Sequence, residues 1–142
     1  MSEEILWVFI LNTTCSIALT GIIWYIQVVH YPTFSRLYRA EFIRHHRFHI
    51  IRTAFVVAPL MMIELATSGY LVFYSETLLF YHITGLIIVV LIWLSTFLIQ
   101  APMHFKLQKG YDGELVKRLI DSNWIRTLLW SAKSLLSLHA IF

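Results

Sequence analysis

The sequence predicts an all-α integral membrane protein built as a four-helix bundle, on the basis of three observations. Hydrophobic residues make up 58% of the 142-residue chain and charged residues only 13%, whereas about a quarter of a soluble domain is charged. Mean hydropathy is correspondingly high, at +0.71. Four apolar stretches are each long enough for a helix to cross a hydrocarbon core of about 30 Å. This composition excludes a soluble enzyme domain, a disordered tail and a secreted disulfide scaffold.

The four apolar stretches and their connections predict a single domain that covers residues 1–142. The predicted spans lie at about 5–29, 53–75, 78–101 and 122–142. The first and third spans contain no charged residue, the second contains only Glu64, and the fourth contains Arg126 and Lys133. Between the spans lie a basic and aromatic stretch, a tight turn and a mixed-charge loop.

The distribution of basic residues predicts the orientation of the chain. Stretch 30–52 contains five arginines and loop 102–121 contains four Lys or Arg residues, whereas the two termini and the turn at 75–77 contain none. The positive-inside rule therefore places both long connections in the cytoplasm and both termini outside the inner (cytoplasmic) membrane. Because topology accounts for the basic residues, we expect the lipid bilayer, and no nucleic acid, as the partner.

A short interfacial helix is expected between the first two spans, beginning after Pro32. Phe34, Tyr38 and Phe42 recur there at helical spacing and are predicted to face lipid, beside arginines that suit an anionic inner leaflet.

Polar side chains recur every three to seven residues along three of the spans, at steps that keep them on one helix face. They are Thr13, Thr20, Trp24 and Gln27 in the first span, Trp93, Thr96, Gln100 and His104 in the third, and Asn123, Arg126, Trp130, Lys133 and Ser137 in the fourth. Such stripes should face the interior of the bundle, because lipid cannot satisfy polar groups. They predict a polar seam that is widest towards the cytoplasm.

The cytoplasmic end of this seam is the predicted functional site, just inside the membrane boundary. Its candidate catalytic residues are His30, His104 and Arg126, and its candidate cofactor-binding residues are Gln27, Arg52, Gln100 and Asn123. His30, His49 and His104 could hold a single transition metal, since three imidazoles are a sufficient ligand set. Haem is the other cofactor considered, with imidazoles on the iron and arginines on the propionates.

Glu64 and Lys133 are predicted to form a buried ion pair. Each lies 11 residues into its span, and both spans run in the same direction, so the two groups should have the same depth. A lone charge near the bilayer centre is costly, and an opposite charge relieves that cost. The sequence leaves open whether such a pair is structural or a proton relay.

These features favour a haem- or metal-dependent membrane oxidoreductase or oxygenase that acts on a lipophilic small molecule. An aromatic lining is expected from Trp24, Trp93, Trp124 and Trp130. One alternative is an oligomeric transporter, made of several copies of the chain, with Glu64 and Lys133 as coupling charges. Another is an accessory subunit of a membrane complex. Motifs for acyl, phosphoryl or peptide chemistry are absent from the sequence.

Three segments carry a resemblance to known proteins. QVVHYP (27–32), IWLSTFLIQAPMH (92–104) and NWIRTLLW (123–130) resemble segments of a group of uncharacterised bacterial four-span membrane proteins. That likeness covers nearly the whole chain and implies a four-span fold without a specific activity. More distantly, the layout is similar to the anthrone oxygenase-like family of small four-span membrane proteins, in size, span number and polar helix ends. This second resemblance implies an oxygenase activity.

Overall fold

The computed structural model describes residues 2–141, and its secondary structure is helical throughout. The elements are α1 (Glu3–Tyr25), a π-helical segment (Ile26–His30), α2 (Tyr31–Phe34), α3 (Arg39–Tyr74), α4 (Leu79–Ser95), a second π-helical segment (Thr96–Gln100), α5 (Ala101–Leu107) and α6 (Gly113–His139). The π-helical segments join their neighbours into continuous rods, Glu3–Phe34 and Leu79–Leu107. These two rods, α3 and α6 are the four helices of a bundle, which confirms the predicted all-α class.

Local sequence signals explain where the helices begin. The Ser2 hydroxyl accepts a hydrogen bond from the Ile5 backbone N–H, and the Asp112 carboxylate accepts from the first turn of α6. Both are standard N-cap residues. The turn before α4 is closed by the Ser75 hydroxyl, which donates to the Thr77 carbonyl at 2.8 Å. Leu78 there has a positive φ of 57°.

Both π-helical segments end beside a proline. Pro32 and Pro102 each occupy the second position after a π-helical segment. A proline has no N–H to donate and its ring clashes with the preceding turn, so an α-helix must adjust around it. A π-helical turn is such an adjustment, because it contains one residue more than an α-helical turn. The additional residue changes which side chains of the following helix face the interior of the bundle. Gln27 and Gln100, one in each π-helical segment, are both buried.

Three of the helices are long and apolar enough to cross a membrane. They are Glu3–Phe34, Arg39–Tyr74 and Leu79–Leu107, with 32, 36 and 29 residues. The predicted fourth span does not appear among them, because the polar residues of α6 lower its hydropathy. The first turns of α6 expose Glu114, Lys117, Arg118 and Asp121. From Asn123 onward the polar residues face the other helices, whereas Ile125, Leu128 and Leu135 are exposed. The outer face of this part of α6 is therefore apolar although the average composition of the helix is not.

Many polar side chains are buried and many large apolar side chains are exposed, which is the opposite of the distribution in a soluble protein. Buried polar or charged side chains include Asn12, Ser16, Gln27, Glu64, Asn123 and Lys133. Large apolar side chains such as Trp7, Phe55, Phe73, Phe80 and Leu98 are exposed by more than half of their surface. Soluble proteins bury apolar groups and rarely bury charge. A polar interior behind an apolar surface is typical of membrane bundles.

The predicted interfacial helix is wrong. Residues 31–34 continue the first rod, and the chain from Arg39 onward belongs to α3. Phe34 and Phe42, expected on lipid, are both 0% exposed and pack in one core cluster, while Tyr38 in the link is exposed. The physical reason is length: 36 residues make a helix of about 54 Å, so the start of α3 extends past the apolar part. There Phe42 joins a core cluster with Leu107 of α5 and Val116 and Leu119 of α6.

Candidate functional site

A cavity of about 400 Å³ lies between the four helices, beside the two π-helical segments. Its volume falls within the range of roughly 300–1,000 Å³ that small-molecule sites occupy. Most of its wall is apolar, formed by residues such as Leu19, Ile23, Ile26, Val57, Met61 and Trp130. Its polar groups are those of Tyr31, His49, Thr53, Thr96, Gln100, His104, Gln108 and Arg126. An amphiphilic molecule would match such a lining.

Arg126 brings a positive charge to the cavity wall while remaining only 8% exposed. Its Nε donates to Asn123 Oδ1 at 3.0 Å, and its Nη2 donates to the same oxygen and to the Tyr31 hydroxyl at 3.4 Å. Within residues 2–141 the ion pairs are two surface contacts that do not involve Arg126. A buried guanidinium held by neutral groups alone lacks the countercharge that normally offsets its desolvation.

An amide pair holds Asn123 in place beside this guanidinium. Asn123 Nδ2 donates to Gln27 Oε1 at 2.7 Å, and Gln27 Nε2 donates to the Ile120 carbonyl at 3.1 Å. Gln100 acts in a similar way from the other rod: it donates to the Ser122 carbonyl at 3.3 Å and accepts from the Ser95 hydroxyl at 3.0 Å. The two glutamines therefore fix the start of the buried part of α6.

A chain of hydrogen bonds runs outward from Arg126. Because arginine has only donors, the Tyr31 oxygen accepts from Arg126, and the same oxygen lies 3.2 Å from His104 Nε2. His104 Nδ1 in turn lies 3.0 Å from His46 Nε2. Both nitrogens of His104 are engaged, so it has no lone pair to offer a metal while the chain is intact.

His49 is the imidazole best placed to act on a bound molecule. It lines the cavity, and its Nδ1 lies 3.0 Å from the Thr53 hydroxyl. In the part of the chain that the structure describes, its Nε2 makes no hydrogen bond. If Nδ1–H donates to Thr53, the Nε2 lone pair is available as a base or as a ligand atom.

The predicted metal triad comes together without forming a ligand set. The His30 ring stacks on the His49 ring at 4.2 Å, and the His49 and His104 rings are 6.2 Å apart. Stacked imidazoles direct their nitrogens along their edges and not towards a common point. Among residues 2–141, no group of three or more His, Cys, Asp or Glu side chains is arranged to hold a metal ion. His30 also lies outside the cavity lining.

Arg52 does not lie in the site where the sequence predicted it. Its side chain is exposed, and its guanidinium carbon lies 5.4 Å from the centroid of the Phe48 ring. Arg52 follows His49 by three residues, whereas Thr53 follows it by four and turns inward with it. The direction of a helix side chain shifts by about 100° per residue, so neighbouring positions face differently.

The expected tryptophan lining is also mostly wrong, because Trp130 alone of the four lines the cavity. Trp24 packs edge-on against Trp124 with centroids 5.5 Å apart, and its Nε1 donates to the Ser131 hydroxyl at 3.0 Å. Trp93 Nε1 is buried without a hydrogen-bond partner in residues 2–141. Aromatic residues near helix ends more often anchor the interface than line a site.

A second polar cluster contains Glu64 and Lys133, but not as the predicted direct ion pair. No N–O distance of 4.0 Å or less joins them within residues 2–141. The Ser16 hydroxyl lies between them, 2.6 Å from Glu64 Oε1 and 3.4 Å from Lys133 Nζ. Trp130 Nε1 donates to the other Glu64 oxygen at 3.0 Å. The two charges are thus bridged by a hydroxyl.

Asn12 completes this second cluster. Its Oδ1 accepts from Lys133 Nζ at 2.8 Å, and its Nδ2 donates to the Glu64 carbonyl at 3.1 Å and to two hydroxyls of α3. Lys133 also donates to the Ser137 hydroxyl at 3.1 Å. Each charge is therefore surrounded by hydrogen-bonding groups, which is the condition for tolerating buried charge.

We expect Gly85→Ala to destabilise the protein by about 1–3 kcal/mol, the usual cost of overpacking. A Cβ at Gly85 would lie 3.0 Å from Lys133 Cε and 3.5 Å from Nζ, so it would push the ammonium group away from its acceptors. Thermal unfolding in detergent measures the change. Gly21→Ala is the matched control. A Cβ at Gly21 would have no neighbouring atom within 4 Å, so this variant should stabilise α1 slightly. Equal stabilities of the two variants would contradict the close contact at Lys133.

Sequence reasoning missed several residues of both clusters. Tyr31 and His46 were not assigned to the site, and Asn12 and Ser16 were not assigned to the charged cluster. Helical spacing carried a signal for some of them, since Phe42, His46, His49 and Thr53 follow one another by four, three and four residues. Asn12 and Ser16 are likewise four residues apart.

Comparison with known proteins gives no assignment: the chain matches no family model, no curated protein and no solved structure. The resemblances noted in the sequence therefore stay expectations. The case for a function rests on the geometry, above all on a buried guanidinium at the wall of a largely apolar cavity.

Proposed function

We propose that this chain is an integral membrane protein that binds a lipophilic molecule with an anionic oxygen group, and acts on it as an oxidoreductase or oxygenase. The observation that carries the proposal is Arg126, which is buried at the cavity wall with no carboxylate partner in residues 2–141. A bound anion would supply the missing countercharge through charge-assisted hydrogen bonds. The apolar remainder of the cavity suits the rest of such a molecule.

The proposed setting is the bacterial inner membrane, crossed four times with both termini outside. The apolar outer face of α6 from Trp124 onward supports counting this part of the helix as a fourth span, in spite of its polar inner face. The basic residues before and at the start of α3 and around α5 support a cytoplasmic position for that end of the bundle. The cavity then lies near the cytoplasmic boundary.

The chemistry assigned to the site uses three side chains. Arg126 and the Tyr31 hydroxyl, 3.4 Å apart, would position the oxygen of the bound molecule. His49 Nε2 would accept a proton from a substrate hydroxyl, because Thr53 can hold the ring with its proton on Nδ1. Oxidation of the deprotonated molecule would use dioxygen or another electron acceptor as a co-substrate, because these three side chains accept no electrons.

Haem fits the residues present better than a metal ion held by three histidines. Haem would occupy the cavity in place of the anionic molecule. His49 would then offer one imidazole nitrogen at the cavity wall, and Arg126 a guanidinium for a propionate. When bound, haem would supply the electron transfer that the side chains cannot. His104 is less suitable as a ligand, since both of its nitrogens are hydrogen-bonded.

Analysis of the purified protein tests this proposal. We expect an anionic amphiphile or haem in mass spectra and absorption spectra of the detergent-purified chain. Arg126→Gln should remove that molecule, because the amide carries no charge, while the protein still unfolds cooperatively. A folded preparation without absorbance or metal would contradict the cofactor. Equal ligand contents in the wild type and Arg126→Gln would contradict the anion site.

Cysteine labelling tests the proposed topology. Reporters introduced as Arg44→Cys and Lys109→Cys should react with a membrane-impermeant thiol reagent only from the cytoplasmic side, whereas Glu76→Cys should react only from outside. All three positions are exposed, and the native Cys15 is buried and should give little background. Reaction of the Arg44→Cys protein from outside would overturn the orientation.

An oligomeric transporter is the second candidate, favoured by the buried charges Glu64 and Lys133, which the proposed chemistry does not use. The space beside Lys133 is about 10 Å³, enough for about one water molecule. A solute path would therefore have to run between copies of the chain. Co-purification with a larger partner would instead favour an accessory subunit.

A further inference from the structure

We infer that the cavity is filled sideways from the inner leaflet, through an opening between α3 and α5, by a single-chain amphiphile with an anionic head. This inference rests on the proposed membrane position and on the anion-binding role of Arg126. It adds the entry route and the class of ligand.

The position of the opening follows from which cavity residues are exposed. Most side chains that line the cavity are buried or half-buried, including every one from α1 and α6. The exposed lining residues are Ala54, Ala58, Ala101, Phe105 and Gln108. The first two lie on α3, and the others lie on α5 or at its end. The cavity is therefore accessible from the side of the bundle, between these two helices.

Small side chains border this opening. Ala54 and Ala58 are one helical turn apart on α3, and Ala101 is on the opposite side. Their neighbours Phe55 and Val56 are large and exposed but do not line the cavity. Alanines at these positions leave room for a hydrocarbon chain to pass between the helices.

Exposed cations lie next to the opening. Arg52 is two residues before Ala54, and Lys106 directly follows Phe105. Lys109 Nζ lies 4.8 Å from the Phe105 ring centroid, at the edge of the opening. Ala58 is six residues beyond Arg52, about 9 Å along the helix. Basic residues at headgroup level attract anionic amphiphiles, which gives the exposed Arg52 a role outside the site.

The size and lining of the cavity limit the ligand to a single chain. A volume of about 400 Å³ is near the lower end for small-molecule sites, and is too small for a two-chain phospholipid. Arg126 would bind the head, and the chain would extend along the apolar wall towards Met61 and Trp130. A long-chain carboxylate has this combination of charge and shape, and a hydroxyl on its chain would supply the proton that His49 accepts.

Reversible blocking of the opening tests the route without altering folding. The Ala58→Cys protein is folded in nanodiscs and modified with a bulky aromatic thiosulfonate, and binding of dansyl-labelled undecanoic acid is followed by stopped-flow fluorescence. We expect modification to slow association and dissociation at least about tenfold, and reduction to restore both rates. The matched control is Ala132→Cys, an exposed alanine of α6 away from the cavity, which should keep its rates when modified.

The outcomes separate this inference from the function on which it rests. Unchanged rates in the modified Ala58→Cys protein, with binding still lost in Arg126→Gln, would overturn the route but leave the anion site intact. Binding that does not depend on Arg126 would overturn the proposed function itself. Equal affinity for the matching neutral alcohol would overturn the requirement for an anionic head.

Discussion

Replacing Lys133 with methionine should destabilise the bundle by about 3–5 kcal/mol, the typical cost of leaving a buried charge without its partner. The variant removes donors from Asn12, Ser16 and Ser137 at once. It also leaves the Glu64 carboxylate without a nearby cation. Unfolding in detergent, followed by tryptophan fluorescence, measures the loss. The surface pair Arg118–Glu114, 2.7 Å apart and exposed, is the control, because Arg118→Met should cost less than about 1 kcal/mol.

The same cluster predicts that the double variant Glu64→Gln with Lys133→Met recovers part of this loss. A neutral amide at position 64 can accept from Trp130 through its oxygen and donate to the Ser16 oxygen through its NH2 group, while the Ser16 hydroxyl donates to the Asn12 carbonyl. No buried charge then remains in the cluster. In a double-mutant cycle, an interaction free energy of about 0.5–3 kcal/mol is usual for two residues that share a hydrogen-bond network. Strictly additive effects would show that Ser16 transmits no interaction between the two charges.

The fold class could be predicted from composition because a polar interior behind an apolar surface leaves a strong average signal. The average hydropathy fails to identify α6 as a span, because the inner face of this helix carries Asn123, Arg126 and Lys133. Periodicity identified this face correctly as the inner one, since a helical stripe depends on spacing and not on the mean. The start of α3 was predicted wrongly because Phe42 would suit either lipid or a protein core, and only long-range packing decides between them.

Within the site, spacing predicted the helix faces better than the individual residues. Gln27, Asn123 and Arg126 do meet, as their positions along two stripes indicated. The predicted site includes His30 and not Tyr31, yet Tyr31 lines the cavity and His30 does not. The π-helical segment Ile26–His30 explains this difference, because one additional residue per turn moves the inward position along the chain. No single-sequence pattern shows such a segment in advance.

Asn123→Asp should strongly weaken binding of the proposed anionic ligand while keeping the bundle folded. In the wild type, Asn123 Oδ1 lies 3.0 Å from Arg126 Nε. A carboxylate there would give the guanidinium an internal countercharge, so a bound anion would have to compete with it. Loss of a charge-assisted contact costs about 1.5–3 kcal/mol, and added repulsion from the carboxylate increases it. We therefore expect affinity for dansyl-labelled undecanoic acid to fall at least about 100-fold.

The matched variant Asn123→Leu separates the electrostatic effect from a loss of structure. It leaves both the Arg126 guanidinium and the Gln27 carbonyl oxygen without their partner, so it should lower the unfolding free energy by about 3 kcal/mol or more. Asn123→Asp loses the amide donor to Gln27 but keeps the oxygen that faces Arg126 and gains a countercharge there, so it should lose less stability. Retained affinity in Asn123→Asp would mean that the ligand does not bind through Arg126. Because asparagine and aspartate have nearly the same shape, such a result would remove the principal support for an anion site in this cavity.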